Sequence, residues 1–588
     1  LPPVDTYNSS LSAAELAHAE TSFAEHAIAT TSLVPYGYGD GGGGPTREMV
    51  ATAERIRDLE GSPRLEHASV TEFFTEAEGQ LRDAERPGRP APVWSGEMYL
   101  EFHRGTYTSQ ARTKFGNRRC EHLFREAELW AATAALRGVA AWPARALRDC
   151  WRALLMTQFH DVLPGSSISW VHRDAERTHT EVAARLEEIV ERSLRALAGP
   201  GDRDLVANAG PFVQDGVQAF GVAPAVAPEV STVDVGPSGA GLTSPLVVAR
   251  LDAQGRLVSL CGADGREAVA PDRLANTLEL FRDLPNRWDA WDLDAHHHRT
   301  PIAVPVAAEM TGAEVDGIPA VRVERRLSDV SSVVQHVLIR PGTSTVEFRT
   351  TVRWHETARV LKLGFGLDLR AERSAAETQF GHVTRPIGDN TSWEAAQFEI
   401  CAHRFLHVGE PGYGVAIAND GVYGHDVTRH VREDGGTTTQ VRVSLLRAPT
   451  YPDPHADGGT HERVITVTPE AGLAEAVAEG YRVNLPLRRI TGARDVEPPV
   501  RVTGDGVVVE AVLLAHDGSG DLVVRVYEAL GNRVEAVIRA SGTVRGWQRT
   551  DLLERGLAAW EDGGEARLSL RPFELCTVRF RPAGAAPA

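Results

Sequence analysis

Residues 151–167 read WRALLMTQFHDVLPGSS. Trp151, Leu154, Leu155 and Phe159 fall on one helical stripe, and Pro164 with Gly165 stops the helix. His160 and Asp161 are therefore expected at a helix terminus facing a loop. An imidazole there can ligate a metal, and the adjacent carboxylate can accept hydrogen bonds from hydroxyls. The same dipeptide also fits a plain surface or helix-capping pair, because a histidine near a helix C-terminus is favoured by the dipole. Upstream, Leu123, Ala127, Trp130 and Ala134 recur at spacings of four, three and four, which makes another apolar stripe. Downstream, DAERTHTEVAARLEEIVERSLRALA (174–198) reads as a third helix. Residues 105–200 are thus expected to form a three-helix bundle, with AGPGDRD near 198–204 as the linker that closes it.

On either side of this bundle the texture differs. Residues 1–104 mix helical and strand patterns. SAAELAHAETSFAEHAIA (12–29) is helical, and SLVPYGYGD (32–40) is a short apolar run ending at a glycine loop. TREMVATAERIRDLE (46–60) is an amphipathic helix with Thr46 as cap, and LEHASVTEFFTEAEGQL (65–81) predicts a short strand and another helix. This is α/β texture with too few strands to close a sheet or barrel alone. Beyond residue 205 come short alternating runs broken by Gly, Pro, Asp and Asn. Examples are VRVERRL (321–327), STVEFRTTVRW (344–354), VLKLGFGLDL (360–369) and RLSLRPFELCTVRF (567–580). These predict a large β-sandwich over 205–490 and a smaller one over 491–588. The expected fold class is multidomain: a partial α/β portion, a three-helix bundle, then β-sandwich domains.

The chain has 588 residues, too many for one core, with 42% hydrophobic and 24% charged residues. Lys plus Arg number 62 against 80 Asp plus Glu, a net charge of −18. That balance argues against a nucleic acid or an anionic membrane as partner. No apolar run approaches the roughly 18 residues of a membrane span. The five cysteines, Cys120, Cys150, Cys261, Cys401 and Cys576, lie far apart without a CxxC pair. This sparse set suits a reducing compartment and predicts a cytoplasmic protein. The opening LPPVDTYNSS has no basic n-region or apolar h-region and reads as the interior of a longer polypeptide. The oligomeric state is open, a homo-oligomer included.

Several residues could carry chemistry. Asp40 stands at the end of an apolar run, just before four glycines that permit close backbone approach. No GK[ST] follows, so the loop is not a P-loop; Asp40 could equally cap the next helix. In EFHRGTYTSQ (101–110), His103, Arg104 and Tyr107 offer an aromatic face, a charge and a phenol, a set able to grip a sugar ring. Arg104 could instead anchor an ion pair with Glu97 or Glu101. WDAWDLDAHHH (288–298) reads as a solvated loop, since consecutive histidines point in different directions. The HxD patterns His172/Asp174 and His455/Asp457 read as structural.

Taken together, QFHDVLPGSS, SLVPYGYGDGGGGPTREM, GEMYLEFHRGTYTSQARTKFGNRRCE, LPNRWDAWDLD, GHVTRPIGDNTSWEAAQFEICAHRF and SLLRAPTYPDPHADGGTH resemble family 38 glycoside hydrolases, the α-mannosidases, of the bacterial and cytosolic type. The resemblance runs over nearly the whole chain, in the family's order. It implies that the α/β portion is the C-terminal remnant of a barrel-type catalytic domain and that the substrate is a mannose-containing oligosaccharide or mannoside. It further implies His160 as a zinc ligand, Asp161 as a group bonding sugar hydroxyls, Asp40 as general acid/base, and His103, Arg104 and Tyr107 as lining of the substrate site. Arg385 and Asn390 match the family without an assigned role. The family's HxD ligands and nucleophilic aspartate would precede Leu1, leaving the zinc site incomplete and the retaining double-displacement mechanism short of one carboxylate. The alternative is a non-catalytic, carbohydrate-binding or structural fragment of such an enzyme.

Overall fold

The computed structural model describes residues 3–40, 42–85, 90, 91, 93–226 and 231–583. The chain divides into two compact units, one running to Met98 and one from Tyr99 onward.

The first unit holds three helices: α1 (Ala13–Ser22), α2 (Arg47–Arg55) and α3 (Val70–Ala84). Ser12 with Glu15 and Ser69 with Glu72 form reciprocal capping boxes, and Thr46 accepts the Met49 amide. Helix α1 ends well short of residue 29. The Thr21 and Ser22 hydroxyls turn back onto the carbonyls of Ala17 and His18, which competes with helix propagation. Strands expected within 32–40 and 65–69 do not form. Residues 35–37 meet Ser9 through one isolated parallel bridge, and a strand without a ladder of neighbours does not form. Leu11, Leu16 and Ala53 make a small core with Val34, Tyr36, Ile56 and Leu65.

The second unit opens with a single 3₁₀ turn, Arg104–Tyr107, and three long helices, α4 (Ala111–Leu136), α5 (Ala144–Thr157) and α6 (Ser169–Ala198), which pack on one another. Phe124 of α4 stacks on Trp151 of α5 with ring centroids 3.9 Å apart. Two short helices follow among the strands, α7 (Ser392–Ala395) and α8 (Leu473–Asn484).

Every named strand pairs antiparallel. A nine-stranded sheet running from Gly381–Pro386 at one edge to Ala308–Val315 at the other faces a ten-stranded sheet that contains Arg359–Leu367 and Thr437–Arg447. Phe348 from one sheet meets Phe365 from the other edge-to-face, 5.9 Å between centroids. Alternating side chains from both sheets fill the space between them, as sandwich packing requires. A five-stranded and a three-stranded sheet form the terminal sandwich over residues 500–582. Strand Arg488–Gly492 belongs to neither sandwich: it pairs with Arg203–Ala207, which in turn pairs with Val222–Pro224. The helices and the terminal sandwich share one apolar core, in which Trp130, Leu154 and Leu186 are continuous with Tyr481, Tyr527 and Val578. Among the described residues no helix is long and apolar enough to cross a membrane.

Inside the large sandwich, Lys362 is fully buried and donates to Glu399 and, at 2.8 Å, to Asp426, whose other oxygen takes Arg442 at 2.9 Å. Removing one partner from such a cluster strands the others in low dielectric. Lys362→Met is expected to lose about 3–5 kcal/mol in urea unfolding; an unchanged midpoint would show the cluster to be dispensable.

Acid should weaken the fold as well. Burial pulls the imidazoles of His172, His179 and His425 down to about 4, and those of His403 and His461 to about 3. The folded values lie below the unfolded one, so between about pH 6.5 and pH 4 the unfolded chain binds more protons. The stability these groups contribute is complete above that window and falls as pH drops through it, by up to about 1.4 kcal/mol per histidine and pH unit. Urea midpoints at pH 7.5 and pH 5.0 test this, the lower expected at pH 5.0.

Candidate active site

Helix α5 ends at Thr157, and the chain then turns tightly. The Val162 amide donates to Phe159 O at 2.9 Å, Gly165 N to Val162 O at 3.1 Å and Ser166 N to Asp161 O at 3.2 Å. The turn puts the His160 side chain outward, 75% exposed, with Nε2 3.3 Å from Asp161 Oδ2. The other carboxylate oxygen of Asp161 accepts the Ser166 hydroxyl at 2.7 Å. Histidine and aspartate are thus presented together at the head of a loop whose tail returns to hold the aspartate.

That loop is braced from two helices. Lys114, in the first turn of α4 and 4% exposed, donates to Ser109 O at 2.5 Å, Leu163 O at 2.9 Å and Pro164 O at 3.1 Å. Burial pulls its ammonium down to about 7. His172, buried in α6, accepts the Ser167 amide at Nε2, 3.3 Å. The neutral ring therefore carries its proton on Nδ1, facing Thr113 Oγ1 at 3.3 Å. Gly165 has φ +86°, and a Cβ there would stand 2.3 Å from Ser109 O, so the loop lies directly against the segment that precedes α4.

That preceding segment carries the other candidates. His103 and Tyr107 are half-buried at either end of the 3₁₀ turn, and Arg104 between them is buried. The Arg104 guanidinium donates twice to Ala396 O, at 3.1 and 2.9 Å, and once to Asp292 Oδ1 at 3.5 Å; it lies over the Phe398 ring and 3.9 Å from Glu101. Its donors are engaged within the protein. The Thr106 amide donates to Trp291 O and the Ser109 hydroxyl to Ala290 O, which ties the turn to the WDAWD loop. Arg447, fully buried, holds that loop from below through Ala290 O, Asp292 O and the Asp283 carboxylate, and it also donates to Ser109 Oγ at 3.1 Å.

The sandwich loop 450–458 then caps the helices. Asp457 accepts the amides of Gln110 and Ala111 at 2.9 and 2.7 Å, closing the N-terminus of α4. Asp453 accepts Gln110 Nε2 at 2.8 Å and the hydroxyl of Ser169, the first residue of α6.

The 288–298 segment is not simply solvated. Asp289 accepts the amides of Thr450 and Tyr451, Asp294 accepts Asn286, and His297 is buried in a 3₁₀ turn, its imidazole lowered to about 2 by burial and then by the Lys362 charge. The expected divergence of consecutive histidines does not hold for His297 and His298, whose rings lie 3.9 Å apart and both meet Phe281 edge-on, with His297 buried. Arg385 is buried and donates to Cys401 O at 3.0 Å, while the Asn390 amide joins the Glu394 cap of α7.

In the first unit Asp40 is exposed, and its Oδ2 accepts Asn8 Nδ2 at 2.8 Å; Asn8 Oδ1 in turn accepts the Gly39 amide at 2.8 Å. The loop needs glycine on both sides of Asp40: a Cβ on Gly37 (φ +109°) would lie 2.5 Å from Pro45 N, and one on Gly43 2.4 Å from Tyr38 O. Gly41 lies outside the described residues.

Among the described residues no three or more His, Cys, Asp and Glu side chains converge as a metal set. His160 offers one imidazole, which does not by itself make a zinc site. Lys114, Ser109, Arg447 and Asp453 escaped sequence reasoning, because each acts through main-chain groups or through partners hundreds of residues away, whereas Asp457, read from the sequence as structural, caps α4. The one usable local signal was Asp457 before two glycines, a loop aspartate in a position to cap.

With this geometry in hand, comparison with known proteins is informative. The description "Glycosyl hydrolases family 38 N-terminal domain" matches residues 1–97, and "Alpha mannosidase middle domain" residues 101–197. "Glycosyl hydrolases family 38 C-terminal domain" matches 242–455, and the family's C-terminal beta sandwich domain 506–578. Alpha-mannosidase 2C1 of Homo sapiens is 32% identical over 98% of this chain and 58% of its own length. The Saccharomyces cerevisiae alpha-mannosidase is 29% identical over 94% of this chain and 54% of its own length. The chain therefore spans less than two thirds of these relatives. In fold it is similar to an alpha-mannosidase structure from Enterococcus faecalis V583, with TM-score 0.74 and 15% identity, covering 98% of this chain and 79% of that one. Four domain matches running in order from N-terminal to C-terminal, with relatives that align along almost the whole chain, show that the chain belongs to glycosyl hydrolase family 38.

Proposed function

We propose that this chain is part of a retaining α-mannosidase that removes terminal α-linked mannose from glycans or mannosides. The observation that carries the reading is the exposed His160–Asp161 pair, held at 3.3 Å on a loop braced by Lys114 and His172, within a chain of family 38. Asp161 accepts the hydroxyls of the terminal sugar. His103 and Tyr107 contact the ring, and Arg104 serves chiefly as the pin that fixes their turn to Ala396 and Asp292.

Asp40 is the general acid/base. It protonates the leaving oxygen while a second carboxylate, supplied from outside these residues, forms the glycosyl-enzyme; it then takes a proton from the water that releases mannose. In the complete enzyme His160 would serve as one ligand of a zinc ion, which would supply Lewis-acid binding of the sugar hydroxyls, the remaining ligands coming from outside these residues. The paucity of cysteines and the buried, unpaired thiols of Cys120 and Cys150 support a cytoplasmic location.

The test is chelator-sensitive hydrolysis of an aryl α-mannoside, measured for this chain and for the longest product of its reading frame. Activity is expected in the longer product alone, and its absence there would overturn the enzyme reading. In the active form, Asp40→Asn should lower kcat/KM by about 10²–10⁴; unchanged turnover would reassign the general acid.

A further inference from the structure

We propose that Lys114 is a positioning residue for Asp161, setting the fraction of molecules in which the 160–167 loop is ready to take substrate. The inference rests on the proposed sugar-binding role of that loop and goes beyond it.

Lys114 is 4% exposed, and its Nζ has three hydrogen-bond acceptors, all of them main-chain carbonyls. A buried ammonium hydrogen-bonded to carbonyls, with the Asp457 carboxylate as its favourable charge, is a costly way to close a turn, since a neutral donor could satisfy one or two of the acceptors. In its protonated form Lys114 converges three donors on two separate segments, Ser109 on one side and Leu163 with Pro164 on the other. The loop has few other means of keeping its place. It joins no β-ladder, Pro164 has no amide, and Gly165 is left-handed against Ser109 O. The consequence reaches Asp161 through the Ser166 hydroxyl, which binds Oδ1 at 2.7 Å, and through the Ser166 amide on Asp161 O. The other side of Ser109 is fixed by the sandwich, where Arg447 donates to its hydroxyl and that hydroxyl donates to Ala290 O. Arg447, Ser109, Lys114 and the loop carbonyls thus form one continuous line of contacts from the β-sandwich to Asp161.

When the competent loop is only part of the population, apparent affinity falls by that fraction, while turnover of the bound complex is unaffected. Lys114→Met in this chain should speed amide hydrogen exchange of residues 159–168 by about tenfold, with α6 residues 182–197 changed by less than about twofold. In the longest product of the reading frame, the same substitution should raise KM for an aryl α-mannoside in proportion to the fall in the competent fraction of the loop, by at least about threefold, with kcat changed by less than that. Lys114→Gln, which keeps neutral donors, should fall between the two, and it serves as the variant should Lys114→Met fail to fold. Loop exchange that rises with KM unchanged, or neither moving, would overturn the positioning role. Asp161→Ala separates the two levels. If it leaves KM unchanged, the sugar-binding reading of the loop fails; if it raises KM while the Lys114 variants do not, only the positioning role fails.

Discussion

Helix α4 is buried around most of its circumference with ionisable side chains on its buried face, and much of the second unit packs against it through partners for those groups. Glu126 is bound by Arg488 through two contacts, Glu128 by the Trp151 indole at 2.9 Å, and Arg125 reaches Val509 O. Arg118 lies over the Tyr423 ring, and Lys114 takes three carbonyls. The partners come from α5, the small three-stranded sheet, the terminal sandwich, the large sandwich and the 160–167 loop. An unpaired charge in such a place would cost several kcal/mol, so each of these elements is held by what it contributes to the helix.

This constraint explains which parts of the structure could be read from the sequence. The Leu123, Ala127, Trp130, Ala134 stripe marks α4 correctly as a helix, and the strand runs at 321–327, 344–354 and 360–369 each lie within or across a ladder of the sandwich. Both signals are local and periodic. The polar side of α4 reads as solvent-facing by the same logic, yet Glu126, Glu128 and Lys114 are buried there. Periodicity distinguishes apolar from charged faces, and it says nothing about partners placed more than three hundred residues away. In the first unit the failure is of the opposite kind. Residues 32–40 have strand composition, but a strand is defined by its neighbour, and only Ser9 is there to pair.

The same division holds at the candidate site. The proline-glycine stop placed the helix end beyond His160 and Asp161, but α5 ends earlier, at Thr157, and the pair lies in the turn that follows. Arg104 was legible as important, and left open between gripping a sugar and anchoring an ion pair; the contacts to Ala396 O and Asp292 engage its donors inside the protein. His297 shows the limit of compositional reasoning, since three successive histidines look solvated until one is found facing the buried Lys362.

The aspartate caps have a consequence in time. The amide of Gln110 at the head of α4 waits for Asp457, 347 positions later, and Ser169 at the head of α6 waits for Asp453. At a synthesis rate of roughly 5–20 residues per second, about 17–70 seconds pass between the emergence of α4 and the arrival of its cap. Over that interval the nascent helices carry open N-termini and a polar face whose partners have not been made. The N-termini of α4 and α6 are therefore closed only after most of the β-sandwich has been made.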